Sequence, residues 1–86
     1  MNVKDVFSSK VRMKVLMMLY RFGQLHTSAI ASRLNASHKL ALRHLELLEN
    51  ETVVEHRLSG RIKYFRFSGS VKAQATLKLL EEWEGK

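Results

Sequence analysis

The sequence predicts a mainly helical domain with one small β-hairpin (an α+β class), in the order helix, short extended segment, helix, helix, hairpin, helix. Three observations carry this. Residues 25–45 read as two short helices joined by a polar turn, the second opening Ser37-His38-Lys39 and running into leucines. Residues 52–67 are β-branched and aromatic in alternation around Ser59-Gly60, a two-residue hairpin signal. Residues 71–83 place apolar side chains at helical spacing.

Taken in order, Ser8 or Ser9 can cap a first helix that runs to about Phe22, with Val11, Val15, Leu16 and Leu19 on its core face. Met13, Met17 and Tyr20 form a second stripe, and a helix apolar on two sides needs two partners. Gly23 supplies a left-handed stop. After an extended Leu25, Thr27 or Ser28 caps a second helix over about 28–34, with Ile30, Ala31 and Leu34 inward. Asn35-Ala36 makes the turn, because Asn accepts the backbone that a tight turn needs. Ser37 caps a third helix over about 37–49. Its buried face is Ala41, Leu45 and Leu48 with His44 beside them; Ser37, His38, Lys39, Leu42 and Arg43 fall outside it. Thr52 to Leu58 is a strand, Ser59-Gly60 the tip, and Arg61 to Phe67 the return strand, on which Phe65 and Phe67 share one face and Tyr64 and Arg66 the other. Ser68-Gly69-Ser70 ends the strand, and Ser70 caps the last helix. There Ala73, Leu77 and Leu80 line one side and Val71, Ala75 and Leu79 another.

The chain has 86 residues, enough for one domain whose four helices and two or three strands form a single packed layer pair. It has no cysteine, which excludes disulfides and thiolate metal sites. No apolar run approaches the roughly 18 residues of a membrane span, and charges recur from Lys4 to Lys14 where a signal peptide would be apolar. The expectation is an intracellular protein of the cytoplasm, associated with the nucleoid. The net charge of +7 is patterned. Residues 1–45 hold eight Lys or Arg against Asp5 alone, whereas 46–86 hold seven against seven acids. Within that balanced half, 57–66 carries four bases and no acid, and 81–84 carries three glutamates. A polyanion is the natural partner of such a pattern.

In order and spacing the chain resembles the winged helix-turn-helix transcription regulators of the arsenical-resistance-repressor (ArsR-like) family, with the small size of an archaeal branch. The resemblance runs from about Arg12 to Phe67. Arg12-Met13-Lys14-Val15-Leu16 is similar to the family's opening helix, and Ile30-Ala31-x-x-Leu34 to the first helix of the motif. Ser37 through Leu45 is similar to its recognition helix. Val53-Val54, Gly60-Arg61 and Tyr64-Phe65 stand where the family enters its wing, turns it and returns. Two departures matter. The family has Gly just before the wing strand and this chain has Thr52; a β-branched residue resists positive φ, so the third helix is expected to stop at Asn50 with a rearranged turn. The cysteines and last-helix histidines of metal-sensing members are missing, so metal sensing does not carry over.

The resemblance implies double-stranded DNA as partner. A recognition helix presents its N-terminal half to the major groove, whose base edges carry a readable code. The candidates there are Ser37, His38, Lys39, Leu42 and Arg43: Arg43 to fork onto guanine, His38 to donate to a base or phosphate, Leu42 or Leu40 to pack on thymine methyls, Ser37 as cap. On the wing, Arg57, Arg61 and Lys63 surround Gly60 and suit phosphates or a narrow minor groove. Arg66 reads as structural. His26 can cap the second helix or touch a phosphate. The first and last helices build the dimer in the resembled family, which makes Met13, Met17, Tyr20, Val71, Ala75, Leu79 and Trp83 the expected homodimer contacts. No histidine pair has metal-ligand spacing and no catalytic constellation appears, so neither a metal, a cofactor nor an enzymatic activity is expected. The expected function is a dimeric DNA-binding regulator. The alternatives are a non-specific chromatin-like binder and a winged helix turned to RNA or protein.

Overall fold

The computed structural model describes residues 9–84. The elements are α1 (Ser9–Phe22), β1 (Gln24–His26), α2 (Thr27–Leu34), α3 (His38–Asn50), β2 (Val54–Ser59), β3 (Ile62–Phe67) and α4 (Val71–Glu84). The cap expected at Ser8 lies outside the described residues. The strands form one antiparallel sheet in the order β1-β3-β2, so the hairpin gains a third strand from the extended residues around Leu25.

Pleating sorts the sheet into two faces. Leu25, Phe65 and His56 stand abreast in the register, and Val54 and Phe67 share their side. This face meets the helices. Phe65 is fully buried there with Val15, Leu19, Ile30, Leu45 and Val54. Truncating such a residue to alanine costs about 3–5 kcal/mol. On α1 the predicted core residues Val15, Leu16 and Leu19 are buried, and on α4 Ala73 and Leu80. Among the described residues no helix is long and apolar enough to cross a membrane.

Both helices of the motif end in the same hydrogen-bond pattern. At α2, Asn35 takes φ 56 and the N–H of Ala36 reaches back to the Ala31 carbonyl at 3.0 Å. At α3, Thr52 takes φ 67, its N–H donates to the Glu49 carbonyl at 2.9 Å, and that of Val53 to the Leu48 carbonyl at 3.1 Å. These are Schellman endings, with the left-handed residue just past the helix. The helix does end at Asn50, as expected, but the rearranged turn is not found: Thr52 itself adopts the left-handed backbone. The surroundings explain why. Val53 and Val54 are drawn into the core, and the Thr52 carbonyl accepts hydrogen bonds from both Ser68 Oγ and Ser70 Oγ. Ser70 also caps α4 by accepting the N–H of Ala73 at 3.0 Å. Tertiary contacts thus hold a backbone that costs an L residue about 1–2 kcal/mol. In consequence β2 starts at Val54, two residues later than the sequence pattern suggests.

Candidate nucleic-acid interface

The interface is built from the start of α3. Ser37 has extended backbone and its Oγ accepts the N–H of Leu40 at 3.1 Å, the capping predicted for it. From there His38 and Lys39 are exposed in the first turn and Arg43 one turn later, while Ala41, His44, Leu45 and Leu48 are buried. Leu42 is half-buried against the core cluster, and Leu40 is half-buried too. The helix wheel put Leu42 outside the core stripe; the structure gives part of its side chain to the core, which leaves less of it for a thymine methyl.

The hairpin tip shifts by one residue from the predicted Ser59-Gly60. Ser59 pairs with Ile62, so Gly60 and Arg61 form the two-residue loop. Gly60 has φ 63 and Arg61 is not among the positive-φ residues, the pattern of a type II′ turn, which wants glycine first. Arg61 therefore sits at the apex, with Arg57 exposed on β2 and Lys63 half-buried on the helix-facing side of β3. Several cations elsewhere are paired. Arg66 meets Glu55 at 2.8 Å, Arg21 meets Glu84 at 2.6 Å, and Arg12 and Lys72 both approach Glu51, at 3.5 and 3.7 Å. Among the described residues, His38, Lys39, Arg57, Arg61 and Lys63 have no carboxylate at ion-pair distance.

Helix and wing are tied together behind this surface. The Glu49 carboxylate near the end of α3 accepts the backbone N–H of His56 at 3.2 Å and its Nδ1–H at 2.7 Å. The His56 ring also leans on Phe65, centroids 5.5 Å apart. No local sequence pattern marks this pairing, because it joins residues on two elements.

In front, a cleft of about 140 Å³ lies where three elements converge: His26 and Ser28 at the start of α2, His38 at the start of α3, and Arg61 and Lys63 of the wing. His26, not Thr27 or Ser28, is the cap of α2. Its backbone is extended, and its Nδ1 accepts the N–H of Ala29 at 3.0 Å. Thr27, the first helical residue, is buried. Histidine is not among the usual capping residues, so the sequence favoured its two neighbours. Among the described residues no group of three or more His, Cys, Asp or Glu side chains comes together as a metal-holding cluster.

A second surface lies on α1 and α4. Arg12 and Lys72 on Glu51 pin the helix starts together, and Arg21 on Glu84 pins their ends, so the two helices run side by side. Val71, Leu79 and Trp83 are 85%, 67% and 73% exposed along one side of α4. On α1, Met13 is exposed while Met17 and Tyr20 pack partly against the core. Met13, Met17, Met18 and Phe22 line an apolar recess rimmed by Lys14, Arg21 and Arg33. The Arg33 guanidinium lies over the Phe22 ring at 4.2 Å. Phe22, half exposed at the end of α1, was missed by the sequence reading; its spacing of four from Met18 was the available sign.

No protein-family model matches the sequence, and no curated protein matches it. Solved structures do. HlyU of Vibrio cholerae is 23% identical with a TM-score of 0.77, over 95% of this chain and 87% of that one. The transcriptional regulator HlyU of Vibrio vulnificus is 23% identical with a TM-score of 0.73, over 92% and 80%. The homodimeric winged helix-turn-helix DNA-binding domain of a possible ArsR-family transcriptional regulator from Mycobacterium bovis is 23% identical with a TM-score of 0.75, over 96% and 75%. The chain has the winged helix-turn-helix fold of these proteins, with α2 and α3 as the motif and β2–β3 as the wing.

Proposed function

We propose that the chain is an ArsR-like transcription regulator that binds double-stranded DNA as a homodimer. One observation carries the reading: the start of α3 and the wing tip bring His38, Arg61 and Lys63 around one cleft, with Lys39 exposed beside His38 and Arg57 exposed on β2, none of them with a carboxylate at ion-pair distance among the described residues, on a fold whose neighbours are transcriptional regulators. Ser37 orients α3, Arg43 reads a guanine edge in the major groove, and Arg57, Arg61 and Lys63 grip backbone phosphates beside it. The exposed side of α4, with Met13 and Phe22 of α1, buries itself on a second copy; Val71, Ala75, Leu79 and Trp83 are its contacts. A two-fold dimer places two recognition helices about 34 Å apart, one turn of DNA.

Half-burial of Leu40 and Leu42 favours a second reading, in which α3 offers few base contacts and the protein binds duplexes through phosphate charge with little sequence preference. Selection from random duplexes, with the mass of the protein measured in parallel, separates the two. A palindromic consensus bound by a dimer is the expected result. Equal recovery of all sequences at matched salt selects the second reading, and failure to retain any duplex rejects both.

A further inference from the structure

The cleft between α2, α3 and the wing contains a group that neither the recognition helix nor the wing supplies. His26 lines it, and the fold dictates which of its ring nitrogens carries a proton. Nδ1 accepts the Ala29 N–H at 3.0 Å. A nitrogen that accepts bears no hydrogen, so the neutral ring has its proton on Nε2. The Tyr64 ring stands edge-on to it, centroids 5.7 Å apart at 81°, and helps fix the ring plane. Nε2–H has no acceptor among the described residues. Around it stand Arg61 and Lys63 with full positive charge and Ser28 and His38 as further donors, and no carboxylate lines the cleft. Donor-bearing residues of three elements, two of them cationic, line this one cleft, a set that suits a tetrahedral oxyanion better than a planar carboxylate, which offers only two oxygens.

We propose that this cleft is the seat of a single phosphate group, held by Lys63 and Arg61 through charge and by His26 as a neutral donor through Nε2–H. His26 thus has two tasks at once: its Nδ1 closes the start of α2 and its Nε2–H faces the ligand. The inference rests on the DNA reading only for the source of the phosphate, a backbone phosphodiester of the bound duplex. Inorganic phosphate has the same chemistry and serves as an independent probe.

Two variants test it. His26→Asn keeps a good capping acceptor and takes away Nε2–H, its own amide N–H2 being too short to reach that position; an unchanged thermal unfolding midpoint shows that the cap survives, and His26→Ser provides a second capping form without Nε2–H if it does not. Lys63→Gln removes one charge. In the first arm, inorganic phosphate is titrated at constant ionic strength while amide resonances are followed by NMR. Saturable shifts at Thr27, Ser28, Ala29 and His38 are expected in the parent protein, weaker in both variants. Absence of these shifts in the parent overturns the seat. In the second arm, binding of a short duplex is measured against salt. His26→Asn is expected to lose about tenfold in affinity or more, as for a hydrogen bond to a charged group, with the salt slope unchanged because no charge is removed. Lys63→Gln is expected to flatten the slope by about 0.9. Parent-like duplex affinity in His26→Asn overturns the role of His26. If phosphate seats but no duplex binds, the seat stands and the DNA reading falls. A long-range proton–nitrogen correlation on the imidazole, finding the proton on Nδ1 in place of Nε2, overturns the donor assignment directly.

Discussion

The two candidate faces differ in the surface that folding leaves exposed. On the face made by the starts of α2 and α3 and the wing, the chain leaves charge: cations without acidic partners among the described residues, around a turn whose apex is Arg61. On the face made by α1 and α4 it leaves apolar area, with Trp83 and Leu79 largely in water while the charges at the helix ends pair with one another. Unpaired charge is stable in water and waits for a polyanion; exposed apolar side chains in a row favour burial on a matching surface. In the proposed reading a small domain divides its tasks, one surface for the nucleic acid and one for its copy, with the core between them.

The division can be broken from either side. The largest effect is expected on the apolar side. Leu79→Glu combined with Trp83→Glu should convert dimer to monomer in sedimentation, and lower affinity for a duplex carrying two half-sites by about 100-fold or more, because the second half-site loses its effective concentration. Affinity for a single half-site should not change. Equal loss on both duplexes would show that α4 contributes to DNA contact and that the two faces are not separate.

On the charged side, Arg43→Ala should relax preference at one base position by about 1–3 kcal/mol, as read from binding-site selection, while leaving the dimer intact. A uniform loss over all sequences would make Arg43 a phosphate contact. The smallest expected effect lies at the junction. Thr52 links the end of α3 to the wing, and through Ser70 to the start of α4. Thr52→Gly removes the left-handed strain, and after the extra freedom gained by the unfolded chain should stabilise the domain by about 1 kcal/mol, as a higher urea midpoint at unchanged slope. Loss of stability would mean that the turn depends on the threonine side chain.

The junction also marks where sequence reasoning stopped. Helix periodicity, the Ser37 cap, the Asn35 turn and the alternating wing were all legible, because each is set by residues close in the chain. Thr52 was not, because its own preference points away from the backbone that Val53, Val54, Ser68 and Ser70 impose on it. The wing register slipped by one because Ser59-Gly60 and Gly60-Arg61 both read as turns, and only pairing across the strands decides between them. The basic residues of the proposed interface were all named from the sequence. The cleft was not assembled, since His26, Lys63 and His38 belong to three elements whose meeting no local pattern records.

The central claim is that the charged face grips DNA phosphates. It is tested most directly by duplex affinity as a function of salt, for the parent chain and for the variant with Lys39, Arg57, Arg61 and Lys63 all changed to Gln. Log affinity is expected to fall linearly with log salt, with a slope of about −3 or steeper per protomer in the parent that is largely lost in the variant. Equal slopes for the two proteins, or affinity that does not respond to salt, would contradict it.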